Sequence, residues 1–95
     1  MNAARFRSVL AAHVLRSLTQ AQREGRRLSL PELSESLGVR RADVRSVLSA
    51  LHHEGLVDVT RMRLTLQGFG LGSALATQRL AALRTIPAFR ASTAA

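Results

Sequence analysis

The stretch LSESLGVRRADVRSVLSALHHEGLV, residues 33–57, holds two apolar repeats, each closed by a glycine and separated by a tight turn. Leu33 and Leu37 stand at i, i+4, and Gly38 stops that helix after about two turns. Its start is explicit. Ser29-Leu30-Pro31-Glu32 is a capping box, in which the Ser29 hydroxyl accepts from the N3 amide and the Glu32 carboxylate reaches back to the N-cap amide. Pro31 falls in the first turn, where no hydrogen bond is lost. A second helix begins near Arg40 to Ala42 and runs to about Glu54. Its core stripe is Val44, Val47, Leu48 and Leu51, and Gly55 ends it. Asp43 in its first turn suits the positive end of the helix dipole. The opposite stripe, Ala42, Arg45, Ser46, Ser49 and His53, is small, polar and free of acids.

Upstream, residues 4–24 predict a long helix. Phe6, Leu10, Val14, Leu18 and Ala21 lie on one face, with Arg5, Arg16 and Arg23 largely off it and Gly25 as the stop. Leu15 points away from that stripe and Val9 lies at its margin, a surplus that is either a dimer contact or a thick core edge. Downstream of Gly55 the period changes from 3.6 to two. Leu56-Val57-Asp58-Val59 and Arg63-Leu64-Thr65-Leu66 read as short strands joined through Thr60-Arg61-Met62, each with one inward face. Residues 67–84 return to helical spacing, with Phe69, Gly72, Leu75, Ala76, Leu80 and Leu83 on one broad face. Gly68, Gly70 and Gly72 weaken its first turns by about 1 kcal/mol each. Gly68, Gly72 and Ala76, at i, i+4, i+8, form a groove of small residues where another helix fits closely. Residues 85–95 read as a frayed tail.

Composition agrees with a small, mainly helical domain carrying one β-hairpin. The 95 residues include 16 Leu and 15 Ala against seven Val and one Ile, and no run nears the ~20 apolar residues of a membrane span. The chain has no Cys, Trp, Tyr or Lys. That removes disulfide scaffolds, thiolate zinc sites, P-loop lysines and most aromatic stacking platforms. The net charge of +8 is carried by arginine alone and points to a polyanionic partner, nucleic acid or an anionic membrane. Residues 1–30 are net +5, residues 31–60 net −2 and residues 61–95 net +5. Residues 1–22 are free of acids, as transit peptides are, but their removal would strip the longest helix. Val9 to Leu15 is also too short an apolar run for a secretory signal, so the expected location is the cytoplasm, at the nucleoid.

The order helix, short helix, turn, helix, β-hairpin, helix resembles the winged helix-turn-helix proteins, in particular small bacterial regulators of the MarR and PadR kind. The helix-turn-helix pattern is matched by Ser34, Gly38, Val39, Val44 and Val47, and the close of the recognition helix by Leu48, Leu51, Gly55, Leu56 and Val57. Arg63-Leu64-Thr65-Leu66-Gln67-Gly68 is similar to the R-L-T-x-x-G that ends the wing and opens the last helix. The resemblance covers residues 4–84 and implies one domain over residues 1–84, with residues 67–84 as a C-terminal dimerisation helix. It implies sequence-specific binding of double-stranded DNA, as a regulator or a phage- or mobile-element-type repressor. Helix 40–54 would lie in the major groove and wing 57–66 on the backbone or minor groove. The implied DNA-binding residues are Arg40, Arg41, Arg45, Ser46, Ser49, Arg61 and Arg63, with Arg5, Arg7, Arg26 and Arg27 adding phosphate contacts. A homodimer is expected because one short recognition helix reads few base pairs. Its expected surface is Gly72, Leu75, Ala76, Leu80 and Leu83, with Val9 and Leu15 of the first helix as a further contribution.

Other readings are weaker. Adjacent His52 and His53 point about 100° apart on a helix and no carboxylate or cysteine cluster completes a metal site. Gly68 to Ser73 has neither the βαβ setting nor the lysine of a phosphate loop. Six acids and three scattered histidines leave few candidates for catalysis, and neither an enzyme nor a cofactor is implied. The alternative of another class is a winged-helix protein-interaction module, whose exposed helix docks a protein partner while the basic ends keep the chain soluble.

Overall fold

The computed structural model describes residues 2–83. The element order is α1 (Ala3–Arg23), α2 (Leu30–Leu37), α3 (Arg41–His53), β1 (Val57–Asp58), β2 (Arg63–Leu64) and α4 (Leu66–Ala76). This is the mainly helical, winged helix-turn-helix arrangement with a two-stranded antiparallel hairpin, in which Val57 pairs with Leu64 and Asp58 with Arg63. No helix among the described residues is long and apolar enough to cross a membrane.

Local chemistry sets most boundaries. Asn2 caps α1 by accepting from the Arg5 amide at 2.7 Å. Both halves of the Ser29–Glu32 capping box form at the start of α2. Gly25, Gly38 and Gly55 follow the ends of α1, α2 and α3 with φ near +70°, a region that costs a residue with a Cβ. The apolar stripes of α1, α2 and α3 meet in one core, where Leu10, Val14, Leu33 and Val44 are wholly buried. Leu15 is also buried, with half-buried Leu75 of α4 packed against the same core, so Leu15 belongs to a core edge, while Val9 stays half-buried outside that cluster.

The close packing foreseen at the small residues of α4 is made within the same chain, by α1 at Gly72 and by Leu56, between α3 and β1, at Gly68. A Cβ at Gly72 would overlap the Thr19 hydroxyl, and one at Gly68 would overlap the Leu56 carbonyl oxygen. Thr19 is itself buried and donates to the Leu15 carbonyl at 2.7 Å. Gly72 is therefore used inside the protomer and offers no surface to a second copy. Leu75 and Leu83 are half-buried against the core, and Ala76 and Leu80 are half-buried as well, so that four of the five residues of the expected dimer stripe keep part of their surface in solvent. Arg23, expected off the working face of α1, fastens the same junction: its guanidinium lies 5.7 Å from the Phe69 ring centroid and donates to Ser73 Oγ at 2.9 Å.

Two boundaries depart from the sequence reading. The strands are shorter than 56–59 and 63–66, because Thr65 turns from strand residue to N-cap. Its hydroxyl accepts from the Gly68 amide at 3.0 Å and donates to the Gly55 carbonyl at 2.7 Å. Leu66 thus opens a helix and is 91% exposed, instead of facing inward. The last helix also stops at Ala76 rather than 84. Thr77 Oγ1 turns back to the Ala74 carbonyl, and the chain beyond lies along α1, where Arg16 donates to the Gln78 carbonyl and His13 to the Ala81 carbonyl at 2.7 Å. Those side chains of α1 take carbonyls that further helix would have bonded internally. The expected tail, 85–95, lies outside the described residues.

Gly68 and Gly70 sit in the same helix, but the space at Gly70 is open. Gly70→Ala is expected to stabilise by about 0.5–1 kcal/mol through lost chain entropy. Gly68→Ala is expected to destabilise by about 1–3 kcal/mol through overpacking against backbone. Urea unfolding followed by far-ultraviolet circular dichroism separates the two, and equal midpoints would contradict the close approach.

Candidate nucleic-acid interface

The turn between α2 and α3 is held from inside. Gly38 turns the chain in the left-handed region, Val39 drops into the core, and the buried Ser34 hydroxyl donates to the Val39 carbonyl. A larger side chain at Ser34 would displace that turn, so the small residue is a positional requirement. The Val39 amide returns a bond to the Ser34 carbonyl at 3.1 Å. Arg40 then occupies the N-cap of α3 in extended conformation, and the Val44 stripe faces inward.

This geometry puts Arg41, Arg45, Ser46 and Ser49 on the solvent side of α3, all exposed. Ala42, Ser46, Ser49 and His53 run along its centre, flanked by Arg45. Arg40 is exposed too, but its guanidinium is held at Asp43, Nε to Oδ2 at 3.2 Å. Among the described residues Arg41 and Arg45 form no ion pair.

The wing is a tight structure built without glycine. The Asp58 carboxylate accepts from the amides of Thr60 and Arg61 at 3.0 and 3.3 Å, and Met62 takes φ +51° to complete the reversal. Arg61 at the tip and Arg63 at the base are both exposed, and Arg61 Nε stands 3.9 Å from Asp58. His52 ties the wing to α3, its Nδ1 meeting the Val57 carbonyl at 3.1 Å. The His52 ring packs edge-on with that of His53, at 6.2 Å between centroids. Among the described residues no group of three His, Asp or Glu side chains is arranged to hold a metal.

Two of the five acids of the middle segment, Glu32 and Glu35, lie away from the outer face of α3. Glu32 and Glu35 line a cleft between α1 and α2, together with Arg16 and Arg26, and no residue of α3 reaches it. The Ser29 amide donating to its carboxylate holds Glu32 below the ordinary carboxyl range, helped by the Ser29 hydroxyl and by Arg26. Glu24 is lowered in the same direction by the Gln20 amide and then by Arg26, which it meets at 2.7 Å. Gln22 was not singled out in the sequence, yet its side-chain oxygen accepts from the Leu64 amide at 3.2 Å and fixes the wing base to α1. A partner 42 positions away leaves no local signal.

Residues 11–61, more than half of the chain, match the family model of the IclR helix-turn-helix domain. The matched segment runs from the middle of α1 through α2 and α3 into the wing. MarR and PadR regulators are other families of the winged-helix class, so the resemblance to them holds for the class and not for the family. No curated protein and no solved structure matches the chain.

The lowered carboxyl of Glu32 carries a pH prediction. A folded-state value below the ordinary 4.5 means that the capping contribution is complete above 4.5 and is lost as pH falls through the folded value. The gap in urea midpoint between the wild type and Glu32→Ala should therefore be widest at pH 7 and shrink steadily as pH falls below 4.5. A gap of equal width at pH 7 and pH 3 would show that the carboxylate charge plays no part in the cap.

Proposed function

As a member of the IclR helix-turn-helix domain family, this chain belongs to the DNA-binding transcriptional regulators, and we propose that it reads operator sequence with the outer face of α3. One observation carries this reading: Arg41 and Arg45 project, without ion pairs among the described residues, beside an acid-free row of Ser46 and Ser49. Arg matches guanine O6 and N7 in bidentate geometry, and each good pair discriminates by about 1–3 kcal/mol. Ser46 and Ser49 donate or accept and discriminate less. Arg40, held at Asp43, is better placed for backbone phosphate than for a base edge. Arg61 and Arg63 bring the wing to the flanking phosphates or minor groove.

The short helix presents few reading side chains, so two copies on paired half-sites are part of the proposal. The contact between copies does not include Gly72, which α1 covers. The protein acts in the cytoplasm at the nucleoid, as a binder and not as an enzyme.

Fluorescence anisotropy of a labelled duplex from the protein's own upstream region, titrated across salt beside random duplex, tests the reading. A steep negative salt slope with a preference of at least ~10³ for the upstream duplex is the expected result. Arg45→Ala should relax that preference by about tenfold to a hundredfold while leaving binding to random duplex much less affected. Absence of binding at low salt would reject DNA recognition and turn attention to a protein partner.

A further inference from the structure

Two adjacent arginines of the α1–α2 loop and a third from β2 line one cleft behind the wing. Arg26 and Arg27, from the loop between α1 and α2, line a cleft of about 190 Å³ together with Arg63 of β2, Gln22, Gly25 and Met62. The walls are fixed by backbone geometry. Gln22 bonds the Leu64 amide, Gly25 turns at φ +69°, and the Arg26 amide donates to the Ala21 carbonyl at 2.8 Å. Glu24 is the acid closest in sequence, and it is already engaged by the Arg26 guanidinium at 2.7 Å and by Gln20. Arg27 and Arg63 make no ion pair among the described residues, so the cleft keeps a positive excess. Its lining contains no aromatic ring on which a base would stack.

We infer that this cleft is a phosphate-binding site, with Arg27 and Arg63 closing on one phosphate group from opposite walls. Two guanidinium forks on separate, fixed elements offer the planar, multidentate donors that phosphate oxygens accept best. Arg26 remains on Glu24 and supplies background charge. The phosphate source follows from the proposed function, on which this part rests: a backbone phosphate of the bound duplex, beyond the wing tip and outside the reach of α3. The site adds affinity and register without reading sequence. A free phosphorylated small molecule offers the same chemistry, and the test separates the two.

Salt-dependent anisotropy on the upstream and random duplexes is compared for the wild type, Arg27→Ala, Arg63→Ala, the double variant and Arg45→Ala. Each single substitution at the cleft should weaken both duplexes by a similar factor, about threefold to tenfold, and reduce the salt slope by about one. The double variant should lose no more slope than either single, because both side chains serve one phosphate. A loss of about two would overturn the shared site, as would unchanged binding in both singles while Arg45→Ala still relaxes preference. In parallel, inorganic pyrophosphate is titrated into the full chain and followed by amide shifts at residues 25–27 and 62–64. Saturating shifts that vanish in the double variant, without any duplex binding, would keep the site, assign it to a free phosphorylated ligand and reject the DNA reading. Neither pyrophosphate shifts nor an effect on duplex binding would reject the site itself.

Discussion

At Gly72 the backbone of α4 lies against the Thr19 hydroxyl and the Leu15 carbonyl of α1, and at Gly68 it lies against the Leu56 carbonyl. These two approaches seat α4 on α1 and on the segment that joins α3 to the wing. Any Cβ there would push α4 outward and open the core edge where Leu15 is buried. Gly68 and Gly72 cost helical stability, and the offset comes from the packing they permit; Gly70 faces open space and has no such offset. With α4 in place, α1 presents its other flank to α3, and the wing base is trapped between them. The orientation of α3 toward solvent is thus a consequence of contacts on its far side.

The electrostatic arrangement follows the same logic. The outer side of α3 carries Arg41, Arg45, Ser46 and Ser49, while Glu32 and Glu35 are turned into the cleft between α1 and α2. Asp43 stays at the start of α3, where the helix dipole favours it, and draws Arg40 to itself. Exposed pairs of this kind contribute little to stability, about 0–1 kcal/mol. Their effect is on which arginines remain available to a polyanion. Within a segment that is net negative by sum, the outer row of α3 thus holds Arg45 beside Ser46 and Ser49 with no acid among them.

Much of the fold was legible because its signals are local. A capping box, a glycine in the left-handed region and an apolar stripe act over three to seven residues, and α1, α2 and α3 fall within a residue or so of the spacing that predicts them. Legibility failed where one residue had two eligible roles. Thr65 fits a strand by alternation and an N-cap by chemistry, and the Gly55 carbonyl, ten positions earlier, settles it as a cap. The last helix has apolar spacing up to Leu83, but Arg16 and His13 of α1 take its carbonyls beyond Ala76. Gly72, one of the small residues that suggested a dimer contact, is occupied by α1 of the same chain. Periodicity identifies a face that must be covered; it does not say which copy covers it.

By itself the sequence determined the helix-turn-helix core, the inward set of Val44, Val47, Leu48 and Leu51, and the exposure of Arg45, Ser46 and Ser49 opposite it. Those features follow from the 3.6-residue period, which relates positions a turn or two apart. Only the tertiary structure decided that Glu32 and Glu35 leave the face of α3, that Gln22 anchors the wing, and that Arg27 and Arg63 share one cleft. Each of these joins residues from separate elements, and the distance between them is set by how the elements pack rather than by any spacing along the chain.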